Sequence, residues 1–273
     1  MNINRGTIKD QAKQLIKGNV LKLFIIAFVV SLLTGTGISV VNNVKAVTQN
    51  NDAVYSIDSE EWLEEYSDFP VYAPGSTGEG FFETFFDTIK WELKHGAVSF
   101  TGIGVTGVLG IVFAPLEMAL CGMFLMYVQG RRMDVGEEFG YVFKTGFDKN
   151  YGNKLLLGLI KYIIILLGTI LFFVPGIILD LKYTFTSYII AENPNLTWSE
   201  ALKLSDKMTK GHKGELFVLK LSFIPWYLLV AVTAGIANIY FMPYYHTVMA
   251  LYYMNFKIRG LQTGEINQAD FNK

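Results

Sequence analysis

Residues 155–174 are LLLGLIKYIIILLGTILFFV, an apolar stretch in which Lys161 is the one charged residue. An α-helix needs about 20 mainly apolar residues to cross a hydrocarbon layer about 30 Å thick, so this stretch predicts a transmembrane helix. Pro175-Gly176 follows it and predicts a tight turn. A shorter apolar run then continues to Ala191. Residues 155–191 therefore predict the third and fourth spans of the chain, joined as a short hairpin.

Apolar segments also lie on both sides of this hairpin. They predict a first span over 20–41, a second over 98–128, and a fifth and sixth over 215–256, with an outer turn at Pro243. The chain is 51% hydrophobic and 15% aromatic, which is too apolar for a typical soluble surface. The predicted fold class is all-α: a polytopic membrane helix bundle of about six transmembrane helices, with short amphipathic interfacial helices.

The polar segments between these spans differ in charge. The N-terminal arm 1–18, the links 129–154 and 193–214, and the tail 257–273 are rich in Lys and Arg, whereas the link 42–97 is acidic. Cytoplasmic loops of membrane proteins carry an excess of Lys and Arg. We therefore predict a cell-membrane protein with both termini and all the basic links in the cytoplasm, and with the acidic 42–97 insert outside.

Two amphipathic helices are predicted on the cytoplasmic side. The first covers residues 7–17, where Thr7 and Asp10 have the spacing of a capping box. Two interpretations of it are open, since it can lie on an anionic leaflet or be an ordinary solvated helix. Thr197 and Glu200 have the same spacing and predict the start of the second helix.

Four ionisable residues within the predicted spans form a candidate intramembrane polar site: Glu117, Lys161, Asp180 and Lys182. Charged side chains are costly inside a bilayer, so each is a functional candidate by default. Glu117 is the deepest, roughly 16 Å from the inner end of its span at helical rise. We expect it to pair with Lys161 or to face a water-filled cavity.

The site has a functional and a structural interpretation. The functional one is a proton or ion relay, or a ligand site inside the bundle, and the structural one, which we favour, is an ion pair that joins helices. Asp180 and Lys182 are two residues apart, so they point to different sides of a helix and do not pair with each other.

Motifs for catalysis and for cofactor binding are absent from the sequence. Its one cysteine, Cys121, excludes an intramolecular disulfide and a cysteine-based zinc site. The three histidines are scattered, and no HExxH, Walker-type GxxxxGK[ST] or GxSxG motif occurs. We therefore predict no enzyme activity, no cofactor and no bound metal. Lipid headgroups explain the basic links better than nucleic acid does, because these links lie at the membrane face.

The second half of the chain carries a series of motifs that resembles a known family. In order they are Pro175-Gly176-Ile177-Ile178, Ala191-Glu192-Asn193-Pro194, Leu221-Ser222-Phe223 with Trp226, and Pro243-Tyr244. The series is similar to the uncharacterised bacterial integral membrane protein family called domain of unknown function 975. It is more distantly similar to the membrane domain of some glycerophosphodiester phosphodiesterases. The resemblance covers most of the chain except the 42–97 insert. It implies a multi-helix membrane bundle and supplies no activity or catalytic residue.

Two functions of different classes fit these features. The favoured one is a non-enzymatic membrane module that contacts lipids, with a membrane-protein partner or a second copy of the chain as further expected partners. The alternative is a transporter or permease-like protein with a polar site around Glu117. Transporters often contain broken helices in internal repeats, but the two halves of this chain do not align as repeats.

Overall fold

The computed structural model describes residues 4–34, 110–171, 173–233 and 235–271. Every regular element in these ranges is a helix, which confirms the all-α prediction for this part of the chain. The predicted acidic 42–97 insert and the outer parts of the first and second predicted spans lie outside the described residues.

The elements in chain order are α1 (Arg5–Ile16), α2 (Val20–Leu33), α3 (Ala114–Val128), α4 (Val135–Gly146), α5 (Tyr151–Leu171), α6 (Phe173–Lys182), α7 (Thr186–Glu192), α8 (Trp198–Thr209), α9 (Lys213–Leu221), α10 (Ile224–Val232), α11 (Asn238–Thr263) and a short 3₁₀ turn (Gln268–Asp270).

Helix α3 is the centre of the bundle. Its residues are buried except for Glu117, Met126 and Val128, as expected for a helix that is apolar on all sides. Helices α2, α4, α5, α7 and α11 pack around it. Helix α4 runs antiparallel to α3, because Gly146 faces Leu116 and Tyr141 faces Gly122. Part of the predicted 129–154 link is therefore a packed helix of the bundle.

Helix α1 is attached to the protein by its apolar stripe. Asn4 caps it, because its Oδ1 accepts hydrogen bonds from the backbone N–H of Gly6 at 3.0 Å and of Thr7 at 3.4 Å. The capping box predicted at Thr7 and Asp10 is therefore wrong, since both residues lie inside the helix. Buried residues of α1 include Ile8, Ala12 and Ile16, and α1 packs against α11. Its apolar stripe is thus covered by protein.

The predicted hairpin of the third and fourth spans is present as α5 and α6. Gly168 faces Leu179 and Gly176 faces Thr169, so the two helices approach closely near the tip. The tight turn predicted at Pro175-Gly176 is wrong, because both residues lie in the first turn of α6, where proline is tolerated. The predicted fourth span is divided into α6 and α7.

The predicted fifth and sixth spans also form a hairpin. The fifth is divided into α9 and α10, and the sixth is the continuous helix α11. The outer turn predicted at Pro243 is wrong, because Pro243 lies inside α11. The chain reverses instead before Asn238, where Gly235 has a positive φ of 93° that glycine adopts without steric cost.

The segments predicted as a cytoplasmic link and tail pack closely on the bundle. Thr197 and Glu200 form the predicted capping box of α8. After α11 ends at Gly264, the chain folds back and buries Ile266 and Phe271. The ammonium group of Lys257 lies 4.1 Å from the centre of the Phe271 ring. Most of the described tail is therefore part of the fold.

Fewer helices qualify as membrane spans than the sequence predicts. In the described residues, α5 is the one helix that is long and apolar enough to cross a membrane. Helices α1 and α2 are bent by 98° relative to each other, and if they are taken together as one span, the number of candidate spans is two. The arrangement of six spans therefore stays a prediction.

Close contact between α5 and α6 should make Gly176 intolerant of a side chain. A Cβ atom there would lie 2.8 Å from the Cα of Thr169, so we expect Gly176→Ala to destabilise the protein by about 1–3 kcal/mol through overpacking. Gly140 in α4 is the matched control, because nothing lies within 4 Å of its Cβ position. Gly140→Ala should be neutral or stabilising by up to about 1 kcal/mol. Thermal unfolding in detergent measures both, and equal melting temperatures for the two variants would contradict the close contact.

Candidate functional site

Glu117 lies in the first turn of α3 and is exposed, although its neighbours Leu116 and Met118 are buried. Its carboxylate therefore lies at the surface of the bundle rather than inside it. Lys161 lies midway along α5 and is half-buried. Among the ion pairs of the described residues, none joins Glu117 to Lys161, so the expected pair is not formed.

The two charges nevertheless face the same interior residue. Cys121, one turn after Glu117 on α3, interacts electrostatically with both Glu117 and Lys161. Glu117 also interacts with Tyr188 of α7 and with Tyr245 of α11. The predicted partners are therefore neighbours of one polar region without direct contact between their charged atoms.

Asp180 joins this region through a partner that the sequence did not reveal. Its carboxylate forms an ion pair with Lys220, and the pair connects α6 to α9. The side chains are 44% exposed for Asp180 and 27% exposed for Lys220. Asp180 also interacts electrostatically with Tyr245. We call the four charged residues Glu117, Lys161, Asp180 and Lys220 the polar cluster.

Lys182 has a separate role that attaches α6 to α8. Its ammonium group lies 3.0 Å from Asp206 Oδ2. Its carbonyl oxygen accepts hydrogen bonds from Ser205 Oγ at 2.8 Å and from Thr209 Oγ1 at 3.3 Å. The prediction that Asp180 and Lys182 do not pair with each other is confirmed, because each has its own partner.

The polar cluster contains charged groups of both signs. It combines two carboxylates with two ammonium groups, and the one ion pair among them leaves Glu117 and Lys161 outside it. In the ranges that the structure describes, no group of three or more His, Cys, Asp or Glu side chains could hold a metal ion. His246 lies deeper, where its ring stacks on Phe124 with 5.0 Å between the centroids and its Nδ1 atom is buried without a hydrogen-bond partner.

A buried ion pair on the other side of the bundle was missed from the sequence. The ammonium group of Lys22 on α2 lies 3.1 Å from Glu138 Oε1 on α4, and it also donates a hydrogen bond to the carbonyl oxygen of Met133. The Glu138 side chain is 1% exposed. Burial raises the pKa of Glu138 above its ordinary value of 4.5, and Lys22 opposes this rise. No local pattern could reveal the pair, because the partners are far apart in sequence.

Two further ion pairs tie α11 to the bundle. Arg259 lies 3.1 Å from Glu215 Oε2 on α9, and its side chain is 8% exposed. Lys257 lies 2.6 Å from Glu192 Oε1 on α7, and the other carboxylate oxygen accepts a hydrogen bond from the Tyr253 hydroxyl at 2.5 Å. These contacts fix the second half of α11 to α7 and α9.

Removing Lys22 should leave the Glu138 carboxylate buried and unpaired. We expect Lys22→Met to lower the free energy of unfolding by about 3–5 kcal/mol at neutral pH, as for other broken buried pairs. Lys13→Met is the matched control, because the Lys13–Asp10 pair is exposed and such pairs contribute at most about 1 kcal/mol.

The loss in Lys22→Met should depend on pH. Without Lys22 the pKa of Glu138 in the folded protein rises further, so the folded state keeps a proton that the unfolded state releases above pH 4.5. Stability then falls as the pH rises from 4.5. Melting temperatures of both variants from pH 4 to pH 8 measure this, and a pH-independent loss would contradict the assignment.

Comparison with known proteins places part of this chain in a family. No curated protein and no solved structure was found to match it. A family model described as "Protein of unknown function (DUF975)" matches residues 147–260. This range includes Lys161, Asp180, Lys182 and Lys220 but not Glu117. The match confirms the family resemblance for residues 147–260, which form a DUF975 family domain, and this range is shorter than the resemblance predicted from the sequence.

Proposed function

We propose that the chain is a multi-pass protein of the cell membrane, and that its bundle is a non-enzymatic module that contacts lipids or a partner protein. One observation carries the proposal. Helix α5 contains an apolar window from Tyr151 to Thr169, and only 17% of the residues in this window are buried inside the protein. A helix with this composition in the core of a soluble protein would be mostly covered by other side chains, so lipid is the environment that suits it.

Other helices extend this uncovered apolar surface. Large apolar side chains are exposed along α5, α6, α9 and α10 and at the start of α11: Ile163, Leu166, Leu167, Val174, Ile178, Phe217, Val218, Leu221, Ile224, Leu228, Leu229, Val232, Ile236 and Ile239. Soluble monomers rarely expose contiguous apolar patches of more than a few hundred Å². Hydrocarbon chains of lipids would cover this surface without a specific partner.

The distribution of charge supports a cytoplasmic location for both termini. The basic arm, the links 129–154 and 193–214 and the tail would then face the cytoplasm, and the acidic 42–97 insert would face outward. Single cysteines at Thr77 and Lys207, in a chain without Cys121, test this with a membrane-impermeant thiol reagent. Labelling of Thr77→Cys from the cytoplasmic side alone would contradict it.

A charge placed on the lipid-facing surface should prevent membrane insertion. Leu228 on α10 is 62% exposed, and a lysine at the centre of a membrane helix costs about 2.5–3.5 kcal/mol. We expect Leu228→Lys to reduce the amount of protein that resists alkaline carbonate extraction. The control is Ile258→Lys on the polar half of α11, where the native side chain is 49% exposed. Equal amounts of both variants in the membrane pellet would contradict the lipid contact.

A permease-like function is the second candidate, and the position of Glu117 favours it. Its carboxylate is exposed, takes part in no ion pair with Lys161, and adjoins the polar cluster. An accessible carboxylate beside buried polar side chains is a typical element of a proton or ion path.

If the polar cluster conducts protons, vesicles that contain the protein should acidify faster than protein-free vesicles under an imposed membrane potential. Glu117→Gln should then slow this flux by about tenfold or more, because the amide does not exchange protons. Glu265→Gln, at an exposed position in the tail, should leave it unchanged. A flux equal to that of protein-free vesicles would rule out this candidate.

A further inference from the structure

The Asp180–Lys220 ion pair marks the height along the two hairpins at which their charged part ends, and we call this height the level of the pair. It lies at the base of two hairpins, because α6 leads back from Asp180 to the tip of the α5–α6 hairpin and α9 leads from Lys220 into the α10–α11 hairpin. Both side chains are partly exposed, at 44% and 27%. Charges with this exposure are strongly disfavoured against hydrocarbon, so the pair belongs among lipid headgroups or water.

Helix α1 lies at the same level. The ammonium group of Lys9 donates a hydrogen bond to Ser222 Oγ at 2.6 Å, two residues after Lys220. Beyond this level the hairpins are free of charge: residues 162–179 and 221–256 contain no Asp, Glu, Lys or Arg. The ion pair is therefore the last charged feature before the tips.

The hairpins rise only a short distance above the pair. At helical rise, the seven residues from Asp180 back to Phe173, the first residue of α6, span about 10 Å. The twelve residues from Lys220 to Val232 span at most about 18 Å. Tyr245, whose ring centroid lies 5.1 Å from that of Phe223, lies seven residues or about 10 Å from Asn238. A hydrocarbon core is about 30 Å thick, so tips at these heights reach its middle and not its far side.

The tip of the α10–α11 hairpin has the properties of a turn that is buried in hydrocarbon. Val232 is 85% exposed and Ile236 is 71% exposed. Yet the described backbone N–H groups of the turn bond within the hairpin: those of residues 235, 236, 238 and 239 donate hydrogen bonds to carbonyl oxygens of the turn and of the end of α10, and the Ala237 N–H donates one to Thr233 Oγ1 at 3.0 Å. A turn in water can bond to solvent, whereas one in lipid must bond to itself.

The surface on the other side of the pair is polar. Helix α8 attaches there to Lys182 and exposes Lys203, Lys207 and Lys210 along its outer side. If α5 crossed the whole membrane from its first residue, this helix would lie beside it within the hydrocarbon. Its start is fixed to α5, because Asn153 bonds to the backbone of Leu196 at 2.7 Å and of Trp198 at 2.8 Å.

We propose that the α5–α6 and α10–α11 hairpins are re-entrant. They insert into the cytoplasmic leaflet, turn near the middle of the bilayer and return, with the Asp180–Lys220 pair and Lys9 at the level of the headgroups. The partner of this surface is the hydrocarbon of a single leaflet. The inference rests on the proposed membrane location, and it assigns the uncovered apolar side chains in the first part of α5 to the interfacial region of the same leaflet. A re-entrant hairpin ends on the side of the membrane where it began, so every basic link stays in the cytoplasm. The two arrangements differ in the position of Ile236, which lies near the middle of the bilayer in re-entrant hairpins and at the outer face in six complete spans.

Single-cysteine variants in a Cys121→Ala background test the depth of the tip. Ile236→Cys places a thiol at the tip, and Gln262→Cys places one on the exposed polar end of α11 as the control. Each variant is exposed to a membrane-impermeant maleimide in right-side-out and in inverted vesicles. We expect Gln262→Cys to react in inverted vesicles only, and Ile236→Cys to react in neither until detergent is added. Reaction of Ile236→Cys in right-side-out vesicles would overturn the inference, since the tip would then have crossed the membrane.

A second measurement separates failure of this inference from failure of the membrane location. A fluorophore on Ile236→Cys should be quenched more strongly by lipids with a doxyl group near the chain end than by lipids with one near the headgroup. Stronger quenching by the shallow doxyl group would overturn the mid-bilayer depth alone. No quenching by either lipid, together with reaction of Ile236→Cys in inverted vesicles, would overturn the membrane location as well.

Discussion

The architecture depends on the burial of α3. This helix is apolar around nearly its whole circumference, and its side chains leave water only when other helices cover every side. The chain supplies this cover with α2, α4, α5, α7 and α11, which come from both ends of the sequence. Because one helix needs partners from so many segments, the polar links between the predicted spans also pack as helices and become part of the bundle.

Ion pairs determine how these helices are aligned. Lys22 and Glu138 join α2 to α4, Asp180 and Lys220 join α6 to α9, and Arg259 and Glu215 join α11 to α9. Replacing such a pair with apolar residues often costs little stability, whereas removing one partner costs several kcal/mol. Each pair therefore disfavours alignments that would leave its charges unpaired, while apolar contact around α3 supplies most of the stability.

The protein has two kinds of apolar surface, and the difference between them bears on function. The stripe of α1 and the whole of α3 are covered by other helices of the chain, whereas α5 and α10 keep large apolar side chains uncovered. The covered surface accounts for folding. The uncovered surface is large-side-chain apolar surface without charge, and the proposed lipid contact rests on it.

Patterns of neighbouring residues were sufficient to predict the helical class, the apolar α5–α6 hairpin, the capping box of α8 and the family domain over residues 147–260. The same patterns did not predict the partners of charged residues, since distance along a helix does not reveal which side faces a neighbour. Glu117 lies on the surface and Asp180 pairs with Lys220. The turn predicted at Pro243 lies instead near Gly235, and α11 continues through the proline. These features follow from contacts between segments that are far apart in sequence, which are made only in the folded protein.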